Sequence, residues 1–198
     1  VKAPEPTQTE APPTATPAPP TETPKPTIKA VGGVDKVAFV ANGDIWLMDI
    51  DGGNLKQLTT DGGQKTDLQW VPGSDNEVVY ITGKNISIVN TDTGAVDLLT
   101  TFPSAMFLET FRVSPDGKQV AISMNSQLYL VPFDRSMLRM VRSRTDLLRM
   151  NGCMSYTGST LMANKVQEFR WGNDPDVVAW LFAGVDVTSG KGADIIQI

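Results

Sequence analysis

The chain has 198 residues, a formal net charge of −5, one cysteine and no histidine. Its mild acidity argues against the basic footprint of a nucleic-acid binder, and without histidine no Ser-His-Asp or Cys-His catalytic set can be assembled from it. No apolar run approaches the roughly 20 residues of a membrane-spanning helix, and the lone Cys153 supplies neither a disulfide framework nor paired metal-ligand spacing.

Residues 1–33 differ from the rest. The first thirty hold nine of the fourteen prolines, seven threonines and no aromatic side chain. Such a segment cannot bury enough apolar surface to offset the entropy of ordering it, and its prolines favour an extended spacer. A disordered Thr/Pro-rich linker or stalk is therefore expected over 1–33. The chain opens on Val1, so an N-terminal piece carrying a signal or a lipid-bearing cysteine is expected to have preceded it. These expectations place the protein outside the cytoplasm: periplasmic, secreted, or tethered at the cell surface through the stalk. The other reading is a disordered tail or interdomain linker in any compartment.

Over 34–198 the pattern is short strands and tight turns. Asp35–Ala41 reads as a strand, Asn42-Gly43-Asp44 as a hairpin turn, and Ile45–Ile50 as the next strand. Leu55–Thr60 is the third, and a new cycle begins at Asp67-Leu68-Gln69-Trp70. Glu77–Thr82, Ile86–Asn90 and Val96–Thr101 follow, and Leu58-Thr59-Thr60 recurs as Leu99-Thr100-Thr101, 41 positions on. The third cycle contains Phe111–Ser123. In it Ser114-Pro115-Asp116-Gly117 forms a turn with preset φ at Pro115 and room for positive φ at Gly117. A fourth copy opens at Phe169-Arg170-Trp171. Short strands with a period near forty point to an all-β chain, a β-propeller of four-stranded antiparallel blades. A two-layer sandwich is the alternative. Fewer than four blades are counted, with the first lacking its innermost strand and the last ending after its third. This predicts an incomplete ring from a truncated chain, or one that self-associates.

The runs Gly43–Thr59 and Ser114–Ala121 resemble the repeat of TolB-like β-propellers, with WD-repeat-like blades. The resemblance spans about residues 35–198 and implies part of a propeller from an exported bacterial protein. Under it Asp44, Trp46, Trp70, Ser114, Pro115, Asp116, Gly117 and Trp171 are structural repeat positions. Val71-Pro72-Gly73 and Gly172-Asn173-Asp174 depart from Ser-Pro-Asp-Gly. Blades of this kind serve scaffolds, sugar-active enzymes and prolyl oligopeptidase-like peptidases, so the resemblance sets the fold more narrowly than the function.

The spacing lengthens before the fourth copy, which predicts an inserted loop at about 142–165. Arginines and methionines gather there, and Arg139, Arg142, Arg144, Arg149, Met150, Met154 and Tyr156 form a candidate partner surface. The bland alternative is an outer strand with solvated arginines and a loop packed by its own methionines. No catalytic, cofactor or metal residues are assigned. Asp49–Thr60 fails as a calcium loop, with Asn54 and Thr60 where Gly and Glu are required. The expected function is a non-catalytic extracytoplasmic binding or scaffold module for a protein or glycan partner, without cofactor, nucleic acid or membrane span. The alternative is the substrate-gating propeller of a larger prolyl oligopeptidase-like hydrolase, its catalytic domain lying outside this chain.

Overall fold

A computed structural model describes residues 35–156, 165–172, 177–183 and 193–197. The predicted stalk lies outside them. Fourteen described strands form four antiparallel sheets. The first sheet holds β1 (Lys36–Ala41), β2 (Asp44–Asp49) and β3 (Lys56–Gln57). The second runs β4 (Thr66–Trp70), β5 (Glu77–Thr82), β6 (Asn85–Asn90) and β7 (Val96–Thr101). The third runs β8 (Leu108–Val113), β9 (Gln119–Met124), β10 (Gln127–Pro132) and β11 (Met154–Tyr156). The last holds β12 (Lys165–Trp171), β13 (Val177–Ala183) and β14 (Ala193–Gln197). Each sheet is a meander of consecutive strands. They form the blades of an incomplete propeller ring, with β4 and β12 packing against β8.

The blades stack because their middle strands have no polar face. In β5 successive side chains leave opposite sides of the pleat. Val78 and Tyr80 therefore enter one core with Ile45, Leu47 and Leu58 of the first blade. Val79 and Ile81 enter a second core with Phe111, Val120 and Ile122 of the third. The third blade divides in the same way, sending Val131 and Tyr129 back and Leu128, Leu130 and Ala121 forward to Phe169. A two-layer sandwich would have one core between two sheets. Here each inner blade is shared by two cores, and that alternative falls.

The turns are held by local polar groups. Ser114 Oγ donates to Asp116 Oδ1 (2.6 Å) and accepts from the Gln119 N–H (2.9 Å), while Gly117 sits at φ +72. The first blade carries a tighter knot. Asp44 Oδ1 accepts from Thr59 Oγ1 (3.0 Å) and the Gly62 N–H (3.1 Å). Buried Lys65 donates to Gly43 O (2.7 Å), Asp61 Oδ1 (2.5 Å) and Gly63 O (3.0 Å). A buried ammonium is tolerable only when so ringed by acceptors. Burial alone would raise the Asp44 carboxyl, but the Gly62 N–H, the Thr59 hydroxyl and Lys65 together hold it below the usual range.

Of the expected loop at about 142–165, residues 157–164 lie outside the described residues; the described part carries helix α2 (Arg144–Arg149) and strand β11, and a further helix, α1 (Arg135–Leu138), precedes it. The insertion sits between the third and fourth strands of one blade. Asp134 caps the start of α1: its Oδ1 accepts from the Ser136 (2.8 Å) and Met137 (3.2 Å) N–H groups. Ser143 caps α2: its Oγ accepts from the Asp146 N–H (3.2 Å) and donates to Asp146 Oδ2 (2.8 Å). Leu138, Val141, Leu147 and Met150 fasten the pair to the core between the second and third blades.

Two outcomes follow from this packing. At Gly43 an added Cβ would stand 2.4 Å from Gly62 O in a backbone at φ +82, whereas at Gly62 (φ +63) it would meet open space. Gly43→Ala should cost about 2–4 kcal/mol in urea unfolding, and Gly62→Ala about 1 kcal/mol. Equal costs would contradict the close approach. Hydrogen bonds also hold Asp116, Asp134 and Asp146 below the ordinary aspartate value of 3.8. Their stabilisation is therefore complete above 3.8 and lost as pH falls through the lower folded values. The urea midpoint should drop over that window and drop less in Asp116→Asn; a midpoint flat down to about pH 2 would contradict it.

Candidate functional site: a cleft between the inner strands

The inner strands of successive blades lie side by side but belong to separate sheets, so no backbone ladder joins them. Side chains do the joining. The Gln69 carboxamide of β4 accepts from the Val113 N–H and donates to Val113 O, both at 2.8 Å, and so takes the place of a neighbouring strand. Two residues earlier, Asp67 accepts from the Phe111 N–H at 2.6 Å. Asp67 can reach because β4 bulges between Thr66 and Gln69 and its own backbone is left-handed, φ +57. A left-handed non-glycine residue costs roughly 1–2 kcal/mol, which the carboxylate contacts offset.

The same carboxylate grips Arg112. Arg112 Nη2 lies 2.5 Å from Asp67 Oδ1, and Nη1 donates to Leu68 O at 3.1 Å. The Asp67 side chain is 9% exposed and that of Arg112 30%, so this pair is better shielded than a solvated surface pair. On the far side of β8, Trp171 Nε1 donates to Arg112 O at 2.9 Å, and the Trp171 ring stands edge-on to Phe169. Between these contacts opens a cleft of about 380 Å³ lined by Gln69, Arg112, Val113, Pro115, Arg170 and Trp171, with Phe169 behind. Two arginines, an apolar wall and a tryptophan line one concavity. That set can hold an anion flanked by apolar groups.

The residues singled out from the sequence are scattered around this cleft. Pro115 and Trp171 line it, Trp70 packs in the first interblade core, and Trp46 Nε1 reaches Ala41 O at 3.3 Å. The arginine–methionine group lies on the insertion and on β11, away from the cleft lining. Arg139 pairs with Asp97 of the second blade. Arg142 donates to Val141 O (2.6 Å), which also accepts from Thr100 Oγ1 (2.6 Å). Neighbouring Arg135 makes a two-pronged pair with Glu77, at 3.0 and 2.6 Å. These groups clasp the insertion to the second blade. Arg144 and Arg149 are exposed, Met154 is half-buried against the third core, and the Tyr156 side chain lies outside what is described. Met150 is only 6% exposed and belongs to the core, because the end of α2 turns inward there; it cannot contribute to a partner surface. Cys153 is half-buried, and burial pushes its thiol up.

The sequence reading missed Asp67, Gln69, Arg112 and Arg170. A signal existed. Gln69, Arg112 and Arg170 each stand one residue before the strand-ending Trp70, Val113 and Trp171, so the repeat places them at one level of three neighbouring strands. Asp67 carried no such mark, since its reach depends on the bulge.

No family model and no curated protein matches the chain. Among solved structures it is similar to TolB from Acinetobacter baumannii, at 15% identity and a TM-score of 0.55, covering 81% of this chain and 38% of that one. It is also similar to an oligogalacturonate lyase in complex with manganese, at 13% identity and a TM-score of 0.54, covering 82% and 46%. The β-propeller domain of Cps50 (Swd1) from Myceliophteria thermophila gives 11% identity and a TM-score of 0.50, covering 76% and 50%. The chain thus spans half or less of each of these. Among the described residues no helix is long and apolar enough to cross a membrane. At these identities the likeness is one of architecture: the chain is built on the TolB-like, WD-repeat type of β-propeller fold.

Proposed function

We propose that the chain is a non-catalytic binding module acting outside the cytoplasm, and that it holds a protein partner at the cleft between its inner strands. The observation that supports this reading is the cleft itself: Arg112 and Arg170 beside an apolar wall, on strands joined by Gln69 and Asp67 on one side of β8 and by Trp171 on the other. Rigid elements carry a binding constellation better than loops, because less ordering entropy is lost on association. The Thr/Pro-rich composition of residues 1–33 supports the extracytoplasmic placement. The exposed arginines of α2, Arg144 and Arg149, offer a second surface at the rim.

Partner capture separates the two surfaces. The immobilised full chain should retain a partner from an extracytoplasmic extract, lose it in Arg112→Ala/Arg170→Ala, and keep it in Arg144→Ala/Arg149→Ala. Retention by the cleft variant with loss by the rim variant would move the site to the helices. Hydrolysis of peptide or glycan substrates by the purified chain would overturn the non-catalytic reading.

A further inference from the structure

Resting on that binding-module reading, we infer that the inner-strand cleft takes an acidic peptide segment. Its carboxylate meets Arg112 and Arg170, and a neighbouring apolar side chain lies against Val113, Pro115 and Trp171. The cationic side of the cleft is already organised. Arg112 is anchored from behind through Nη1 to Leu68 O (3.1 Å) and through Nη2 to Asp67 (2.5 Å). A guanidinium carries five N–H donors in a fixed fork. Its remaining donors can meet a second carboxylate with little further loss of side-chain freedom. Arg170 comes to the same cleft from β12, and its side chain is exposed.

The neutral polar groups of the cleft decide against a glycan. Gln69 spends both ends of its carboxamide on Val113, and Trp171 spends its indole N–H on Arg112 O. A sugar's hydroxyl groups would find few neutral partners there, and unpaired polar groups at a binding surface are costly. An apolar side chain next to a carboxylate leaves no such group unpaired. The net charge of −5 opposes an acidic ligand at long range, so affinity arises from contact within the cleft and electrostatic steering contributes little.

The test uses the full chain and fluorescence anisotropy at roughly physiological salt. The probe is a fluorescein-labelled octapeptide of alternating glutamate and leucine; the control replaces each glutamate with glutamine. The acidic peptide should bind saturably and at least about tenfold more tightly than the neutral one. Arg170→Ala, at an exposed position, should weaken it about tenfold. Asp67→Asn keeps an acceptor for the Phe111 N–H while releasing the guanidinium, and should weaken it severalfold. Equal affinity for the two peptides, or no effect of Arg170→Ala, would overturn the inference. Tighter binding of oligogalacturonate, the uronate probe, at the same cleft would overturn it in favour of a glycan. If partner capture depends on Arg112 and Arg170 while the peptides bind alike, the acidic-peptide inference falls and the binding module stands. If capture ignores the cleft as well, both fall.

Discussion

Strands β5 and β10 have apolar side chains on both sides of the pleat, and the remainder of the structure is arranged around that constraint. Fully burying one such side chain contributes about 1.5–3 kcal/mol. Leaving either face of Val78–Ile81 or Leu128–Val131 in water would forfeit several of those contributions at once. A blade with two apolar faces needs a neighbour on each side. The first and third blades cover the second, and the fourth covers the third through Phe169. The repeat is therefore a consequence of burial: no single blade can satisfy its own strands.

Stacking solves the apolar problem and creates a polar one at the inner strands. Adjacent blades splay, so β4, β8 and β12 cannot pair as strands do, yet the N–H groups of Phe111 and Val113 face the gap. Asp67 and Gln69 fill it. The same stitching that satisfies these groups immobilises Arg112, so the polar requirement of the fold and the shape of the candidate site share one cause. At the opposite edge of the blades the insertion plays a comparable role. Leu138 and Leu147 anchor it in the core, and Arg135 and Arg139 clasp it to Glu77 and Asp97. The arginines that stand out in the sequence by their density are thus largely occupied in holding two blades together.

Much of the fold could be read directly from local pattern. Alternation in Val78–Ile81, the Ser114–Gly117 turn and the echo of Leu58-Thr59-Thr60 are properties of neighbouring residues, and strand, turn and period follow from them. The insertion was misread because α1 has only four residues and α2 six. Neither is long enough to show a helical period, and their capping residues Asp134 and Ser143 look equally at home in turns. The arginines at 135–149 advertised a surface, while the functional candidates Gln69, Arg112 and Arg170 are single residues 43 and 58 positions apart. They have meaning only when the blades are superposed.

By itself the sequence determined the architecture: an all-β chain whose two-faced strands force repeated blades to stack, and whose Gly and Asp turns set where each strand ends. These are decided within a few residues of one another, where backbone sterics and side-chain alternation act. Only the tertiary structure decided which charged groups are structural and which are presented. Lys65 is buried because four acceptors from Gly43, Asp44, Asp61 and Gly63 converge on it. Arg112 is poised because a bulge swings Asp67 of the preceding blade beneath it. Such assignments rest on contacts between residues 44 or more positions apart across blades, or on a loop closing over a turn. The energy of a charge depends on which partners replace its lost water, and the packed chain alone supplies them.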